Sequence, residues 1–242
     1  MTSTIGSVGT AQTGAALTGA FIVTGASSGL GLAIAQAIGA AGGDPIGFDV
    51  HPAAADFEHE TVDVSDARAV TEGVQRVIAR HAGIAGVVAN AGIDACGKFS
   101  DVSADAWERV IRVNLLGTAA VVRAALPSLV ENHGRIVTVA STLGLRAVSD
   151  ATAYCASKFG VVGFTRALST ELAGQVPVTL LIPGGMHTHF FDGRDEQYKP
   201  AADAQLNRPQ DVARAVVFAL SQPRGCEIRE MLICPSSETS WP

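Results

Sequence analysis

A doubly wound α/β fold, with seven parallel strands in one sheet and helices on both faces, is what this 242-residue sequence predicts. Three observations predict it. Short apolar runs alternate with helical stretches of Ala, Gly and Val, the pattern of a parallel sheet covered on both sides. Apolar residues make up 48% of the chain, enough to build a substantial core in one α/β domain. The first apolar run, Ala20 to Thr24, leads into a glycine turn and then a periodic apolar stretch through Ile38, which reads as strand, tight turn, helix.

Strands are expected near residues 20 to 24, 45 to 49, 60 to 63, 84 to 88, 135 to 140, 177 to 182 and 230 to 234, with helices in the intervals. After the first strand, Gly25-Ala26-Ser27-Ser28-Gly29-Leu30-Gly31 offers glycines that tolerate positive φ and close approach of a ligand. The helix that follows presents free N–H groups and a positive dipole end, which suits a pyrophosphate and so a dinucleotide. The spacing is Gly-x-x-x-Gly-x-Gly rather than the commoner Gly-x-Gly-x-x-Gly, and a glycine turn alone is also an ordinary loop. The second strand ends at Asp49, twenty-four residues beyond Gly25. A carboxylate there can accept both ribose hydroxyls and repels a 2′-phosphate. No Arg or Lys stands in the glycine loop or beside Asp49, so NAD(H) is favoured over NADP(H), with a solvated turn aspartate as the alternative reading.

The third strand is expected to end at Asp63, placing Asp63 and Val64 where they can meet the adenine. The fourth runs into the small-residue turn Asn90-Ala91-Gly92. Ser103 is the expected N-cap of a long helix carrying Asn114. Past the fifth strand, Ser141 lies thirteen residues before Tyr154, and Lys158 follows Tyr154 by four, on the same helix face. The phenol's unperturbed pKa of about 10 is high for a base near neutrality, and a neighbouring ammonium lowers it. Ser141 can hydrogen-bond the same substrate oxygen. A Tyr-x-x-x-Lys pair by itself is more often a plain amphipathic helix face; the glycine loop and Asp49 upstream give it a hydride partner.

Together these motifs resemble the short-chain dehydrogenase/reductase family from about Leu17 to about Pro235. Thr24 to Gly31 matches its Thr-Gly-x-x-x-Gly-x-Gly cofactor loop, and Asn90-Ala91-Gly92 matches the end of its Asn-Asn-Ala-Gly motif, with Ala89 in place of the first Asn. Asn114 matches the helix residue that holds a water linked to the active-site lysine. Ser141, Tyr154 and Lys158 match the other catalytic positions, and Pro183, Gly184 and Thr188 resemble the segment contacting the nicotinamide end. The resemblance implies a Rossmann-type NAD-binding domain, taken as residues 17 to 242; residues 1 to 16, rich in Thr, Gly, Ala and Ser, read as a loose leader. It implies hydride transfer between NAD(H) and a ketone or secondary alcohol. Tyr154 would be the general acid or base, Ser141 would steady the oxygen, and Lys158 would lower the Tyr154 pKa and hold the nicotinamide ribose. It also implies a homodimer or homotetramer, paired through the long helices before and after Ser141. The C-terminal run Glu230 to Pro235 departs from the common Val-Asp-Gly-Gly ending, and the tail Ser236 to Pro242, with Trp241, either crosses to a neighbour or frays.

Asp94, Thr142, Arg146, His187 and His189 fall in segments that should open at the carboxyl ends of strands, where such sheets bind ligands, and suggest a small polar substrate. Phe190-Phe191 reads equally as a lid, as core or as a subunit contact. His187 and His189 have no evident third ligand, so no metal is expected. A net charge of −6, with no basic cluster and Arg68 the first Lys or Arg, argues against nucleic acid. The N-terminus lacks a secretory signal pattern, no uninterrupted apolar run reaches the roughly 18 residues of a membrane span, and Cys96, Cys155, Cys226 and Cys234 lack paired spacing. A cytoplasmic location is expected. Two other readings stand beside this one: an NADP(H)-dependent carbonyl reductase of a biosynthetic pathway, and a non-catalytic dinucleotide-binding sensor, which would have no use for Ser141, Tyr154, Lys158 and Asn114 together.

Overall fold

The computed structural model describes residues 16 to 52 and 55 to 237. The leader up to residue 15 and the tail from residue 238, Trp241 included, lie outside the described residues. Seven strands, β1 (Ala20–Thr24), β2 (Asp44–Asp49), β3 (Glu58–Thr61), β4 (Gly86–Ala89), β5 (Arg135–Val139), β6 (Val178–Pro183) and β7 (Glu230–Ile233), form one sheet in the order β3-β2-β1-β4-β5-β6-β7. Every pairing is parallel. The order reverses between β1 and β4, where Ile22 pairs with Val87, and a cleft opens beyond the carboxyl ends of these two strands.

Alternation along each strand splits the core in two. Phe21, Val23, Val88, Val137 and Leu181 face α1 (Gly29–Ala40) and α6 (Pro209–Leu220), whose Ile34, Ile38, Val212 and Val216 are buried with them. Ile22, Ile46, Phe48, Val87 and Ile136 face the other way, toward α2 (Ala67–His81) and α4 (Thr118–Glu131). Burial on both sides explains why the central strands read as continuous apolar runs.

β3 begins two residues earlier than the sequence pattern suggests and stops at Thr61, so Asp63 lies beyond the strand rather than at its end. Its residues Glu58, His59 and Glu60 are polar, as suits an edge strand, and give no apolar signal.

Ser103 caps α3 (Ala104–Ile111), its hydroxyl accepting the Ala106 N–H at 3.3 Å. One wider turn, a π-helix over Arg112–Gly117, joins α3 to α4 and carries Asn114. Such turns expose backbone groups and re-aim side chains, and they recur at functional sites. The whole helix, Ala104–Glu131, is 28 residues long, with an 18-residue window of mean hydropathy 1.5. Asp105, Glu108, Arg109, Arg112 and Arg123 interrupt its apolar stretches, yet by length and composition alone it is apolar enough to cross a membrane. Half of that window is buried inside the fold, as in a helix that packs its apolar face against a sheet.

Candidate active site

The cleft has a volume of about 1370 Å³. Its first wall is the β1–α1 turn. Gly25 and Gly29 adopt φ of +68° and +55°, and a Cβ on Gly31 would stand 2.0 Å from the Gly25 carbonyl oxygen. Ser28, the N-cap of α1, makes no side-chain capping bond, so the first N–H groups of the helix are left to a ligand. Gly25, Ser28, Gly29 and Leu30 line the cleft, whereas Ser27 and Gly31 are outside the lining and shape the turn. Thr24 Oγ1 accepts the N–H groups of Asn90 and Ala91, both at 2.9 Å, which ties the turn after β4 to the turn after β1. Asn90, Ala91 and Gly92 line the cleft beside them.

Asp49 ends β2 at the same wall. Its two oxygens accept the N–H of Ser27 at 3.0 Å and of His51 at 3.1 Å, and the Ser27 hydroxyl donates to the His51 carbonyl. The carboxylate is therefore held in place at the lip of the glycine turn. Asp63 and Val64 line the cleft next to it, with Asp63 accepting the backbone N–H and hydroxyl of Ser65. Uncapped helix N–H groups, a turn built on positive φ and a braced carboxylate fit the pyrophosphate and ribose of a dinucleotide.

The second group comes from β5, α5 (Thr152–Glu171) and the π-turn. Ser141 lies just past β5, where its hydroxyl accepts the Leu143 N–H at 3.2 Å and hydrogen-bonds Tyr154. Lys158 is buried, donates to the Val139 carbonyl at 2.9 Å, and stands 5.6 Å from the centre of the Tyr154 ring. Burial lowers the Lys158 pKa to about 8, against the attraction of Asp94. Burial also pushes the Tyr154 phenol above its ordinary value, and the Ser141 hydrogen bond works the other way. In this structure burial outweighs the lowering expected from the neighbouring ammonium. Asn114 is fully buried; its amide donates to the Ile93 carbonyl and the Ser157 hydroxyl, both at 2.9 Å, and accepts the Ile93 N–H at 2.8 Å. It thus locks the segment after β4 to α5, one residue from Lys158.

Pro183, Gly184 and Thr188 line the cleft past β6. Of the substrate candidates, Asp94, Thr142 and His189 line it too. His189 is exposed and pairs with Asp192 at 2.8 Å. Arg146 is exposed and outside the lining, and His187 lines a smaller cavity of about 670 Å³ on the other side of the same segment. Phe190 and Phe191 line the main cleft, with the Phe190 ring 5.6 Å from that of Tyr154 and 5.8 Å from that of Phe191. Sequence reasoning missed Arg194, Cys96 and Tyr198, which line the cleft as well. They sit in non-periodic segments, and the one nearby signal was the Phe190-Phe191 pair. Among the described residues no group of His, Cys, Asp and Glu could hold a metal ion.

A family model described as short chain dehydrogenase matches residues 20–199. Among curated relatives, an uncharacterized oxidoreductase of Staphylococcus saprophyticus is 32% identical over 229 residues, covering 88% of this chain and 96% of the relative. One of Staphylococcus aureus is 31% identical over 226 residues, with the same coverage. Similar solved structures include an alcohol dehydrogenase of the archaeon Thermococcus sibiricus complexed with 5-hydroxy-NADP, with TM-score 0.79, 25% identity and coverage of 88% of this chain and 95% of that one. An aldohexose dehydrogenase of Thermoplasma acidophilum, ligand-free, gives TM-score 0.81, 26% identity and coverage of 89% and 92%.

Proposed function

The chain belongs to the short-chain dehydrogenase/reductase family, NAD(P)-dependent oxidoreductases of C–OH and C=O groups, and from that premise we propose that it works with NAD(H) on a small polar ketone or secondary alcohol, with Tyr154 as general acid and base. The observation that carries this is the hydrogen-bonded Ser141–Tyr154 pair beside the buried Lys158, at the far end of a cleft that begins in a glycine turn.

The bound nicotinamide supplies or takes up the hydride. The residues do the rest. In reduction, Tyr154 Oη gives its proton to the substrate oxygen as charge develops there, and Ser141 Oγ donates a hydrogen bond to the same atom. Lys158 holds the nicotinamide ribose and, as an ammonium, favours the phenolate left behind. Asn114 keeps Lys158 and the segment after β4 in register. In oxidation the same proton runs from the alcohol to Tyr154.

NAD(H) rather than NADP(H) is supported by Asp49, whose carboxylate is braced at the ribose end, and by the cations that line the cleft. Arg109, Lys158 and Arg194 are the Lys and Arg residues in the lining, and they belong to α3, α5 and the segment after β6, not to the β1–α1 or β2 ends. A polar substrate is supported by Asp94, Thr142, Asp195, Asp203 and Gln205 in the lining, and by the alcohol and aldohexose dehydrogenases among the similar structures. We further propose a cytoplasmic homo-oligomer, paired on the helices flanking Ser141, where Leu116 and Phe159 are exposed. Light scattering reads the oligomer.

The deciding experiment follows nicotinamide absorbance with NAD(H) and NADP(H) across aldohexoses, secondary alcohols and ketones, comparing wild type with Tyr154→Phe. Turnover that depends on Tyr154 and favours NAD(H) is expected. Cofactor binding without turnover on the whole panel turns the reading toward a sensor.

A further inference from the structure

Two charges of opposite sign meet inside the cleft. Asp94, after β4, and Arg194, after β6, form an ion pair of 2.9 Å, with side chains 8% and 15% exposed. Removing two charges from water is costly unless other contacts hold them, and here both are held. The Arg194 guanidinium lies 4.8 Å from the centre of the Phe190 ring and 4.7 Å from that of Phe191. Asp94 accepts the Ala95 N–H at 2.7 Å and the Cys96 thiol at 3.1 Å. Burial and the Asp94 carboxylate push the Cys96 thiol up to about 12, so Cys96 stays a protonated donor near neutrality. Phe190 in turn rests against Tyr154.

The pair lines the same cleft as Tyr154, and Phe190 stands in contact with both the Arg194 guanidinium and the Tyr154 ring. Around Tyr154 stand Ser141 from the end of β5, Lys158 and Cys155 from α5, Asp94 from after β4 with Cys96 bonded to it, and Arg194 from after β6. We propose that Asp94 and Arg194 are positioning residues that set the proton affinity of Tyr154 with opposite signs, while their mutual attraction holds Phe190 over the phenol. The Asp94 carboxylate disfavours a phenolate, the Arg194 guanidinium favours one, and together they present Tyr154 with a nearly neutral pair. Both influences act on the phenol in these directions, and the same carboxylate steadies the Lys158 ammonium. The proposal rests on Tyr154 being the proton carrier of the reaction, and its test is independent of turnover.

The chain has two tyrosines, Tyr154 and Tyr198, so Tyr198→Phe leaves a single phenol to titrate. In that background tyrosinate absorbance is followed against pH, with and without NAD⁺, and circular dichroism at each point restricts the curve to folded protein. Asp94→Asn is expected to lower the midpoint by about one pH unit, and Arg194→Met to raise it by about as much, given charges of this kind near a partly buried group. The double variant returns close to the parent, since the two effects oppose. Asp94→Glu and Arg194→Lys keep the parent midpoint, which a packing defect would not do. Asp94→Asn titrating at or above the parent, or both single variants moving the same way, overturns the proposal. Turnover that survives Tyr154→Phe would sink the functional reading instead, and the two failures are read in separate experiments.

Discussion

The two walls of the cleft are built by different means. The wall formed by Gly25 to Leu30, Asp49 and Asn90 to Gly92 is held by backbone groups: positive φ at Gly25 and Gly29, and N–H groups accepted by Thr24 and Asp49. Opposite it, Tyr154, Phe190, Arg194 and Asp94 hold one another through side chains separated by as much as 100 positions, Asp94 to Arg194. A dinucleotide is a constant ligand whose phosphates and ribose ask for fixed N–H groups and a fixed carboxylate. A substrate varies from enzyme to enzyme, and loops on a rigid sheet allow that wall to vary without disturbing the first.

The contrast is tested most severely at Tyr154. Tyr154→Phe removes one hydroxyl from the substrate wall and should lower kcat about a thousandfold, the middle of the range for general acid–base catalysis. The dissociation constant for NAD(H), measured by fluorescence, should stay near the wild-type value. A parallel loss of cofactor binding would mean that the two walls are not separable. Gly31→Ala attacks the other wall. Its Cβ would come 2.0 Å from Gly25 O and 2.6 Å from Asn90 Nδ2, so the backbone of the turn must move. A loss of about 3 kcal/mol is expected, read as a fall in Tm together with weakened NAD(H) binding. A variant with wild-type Tm and cofactor affinity would refute the close packing of the two turns.

Asp49→Ala sharpens the comparison within the cofactor wall. It removes the carboxylate proposed to repel a 2′-phosphate, so the ratio of kcat/KM for NADP(H) over NAD(H) should rise about tenfold. Because the carboxylate also braces the N–H groups of Ser27 and His51, absolute affinity for both cofactors should fall. An unchanged ratio would show that Asp49 serves the turn alone.

The same contrast explains what is legible in the sequence. The glycine turn, Asp49 and the pair Tyr154 and Lys158 are legible because each depends on neighbours in sequence: a strand followed by glycines, or an i,i+4 spacing on a helix. Ser141 and Asn114 are legible through the family resemblance, but the π-turn that aims Asn114 is not, since no residue type in Arg112–Gly117 marks a wider turn. Arg194 was invisible because its meaning comes from Asp94, 100 positions earlier, and from two rings that stack on it. His187 and Arg146 show the converse, polar residues in the expected segments whose side chains lie outside the main lining.

β3 is the third case, a strand whose position local pattern misjudged because its function is to stay unpaired on one side. Glu58 and Glu60 lie on this edge and meet Arg76, Arg80 and His81 of α2, with Glu60 accepting from Arg76 Nη2 at 2.8 Å and from Arg80 Nη2 at 2.6 Å. Charged edges discourage pairing with another chain. For Glu60, burial works to raise the pKa, but the hydrogen bonds from Arg76 and Arg80 prevail and hold it below its ordinary value of 4.5. A carboxylate lowered in the folded state adds stability above its unfolded pKa, and that stability is lost as pH falls through the lower folded value. Glu60→Gln should therefore cost at most about 1 kcal/mol near neutral pH, because Arg76 and Arg80 are 47% and 42% exposed. The difference from wild type in urea unfolding should shrink with added salt and vanish as the pH drops well below 4.5. A deficit that persists at low pH and in high salt would mean that Glu60 acts through packing of the edge rather than through its charge, and that the edge of the sheet is held as the substrate wall is, by the fit of its side chains.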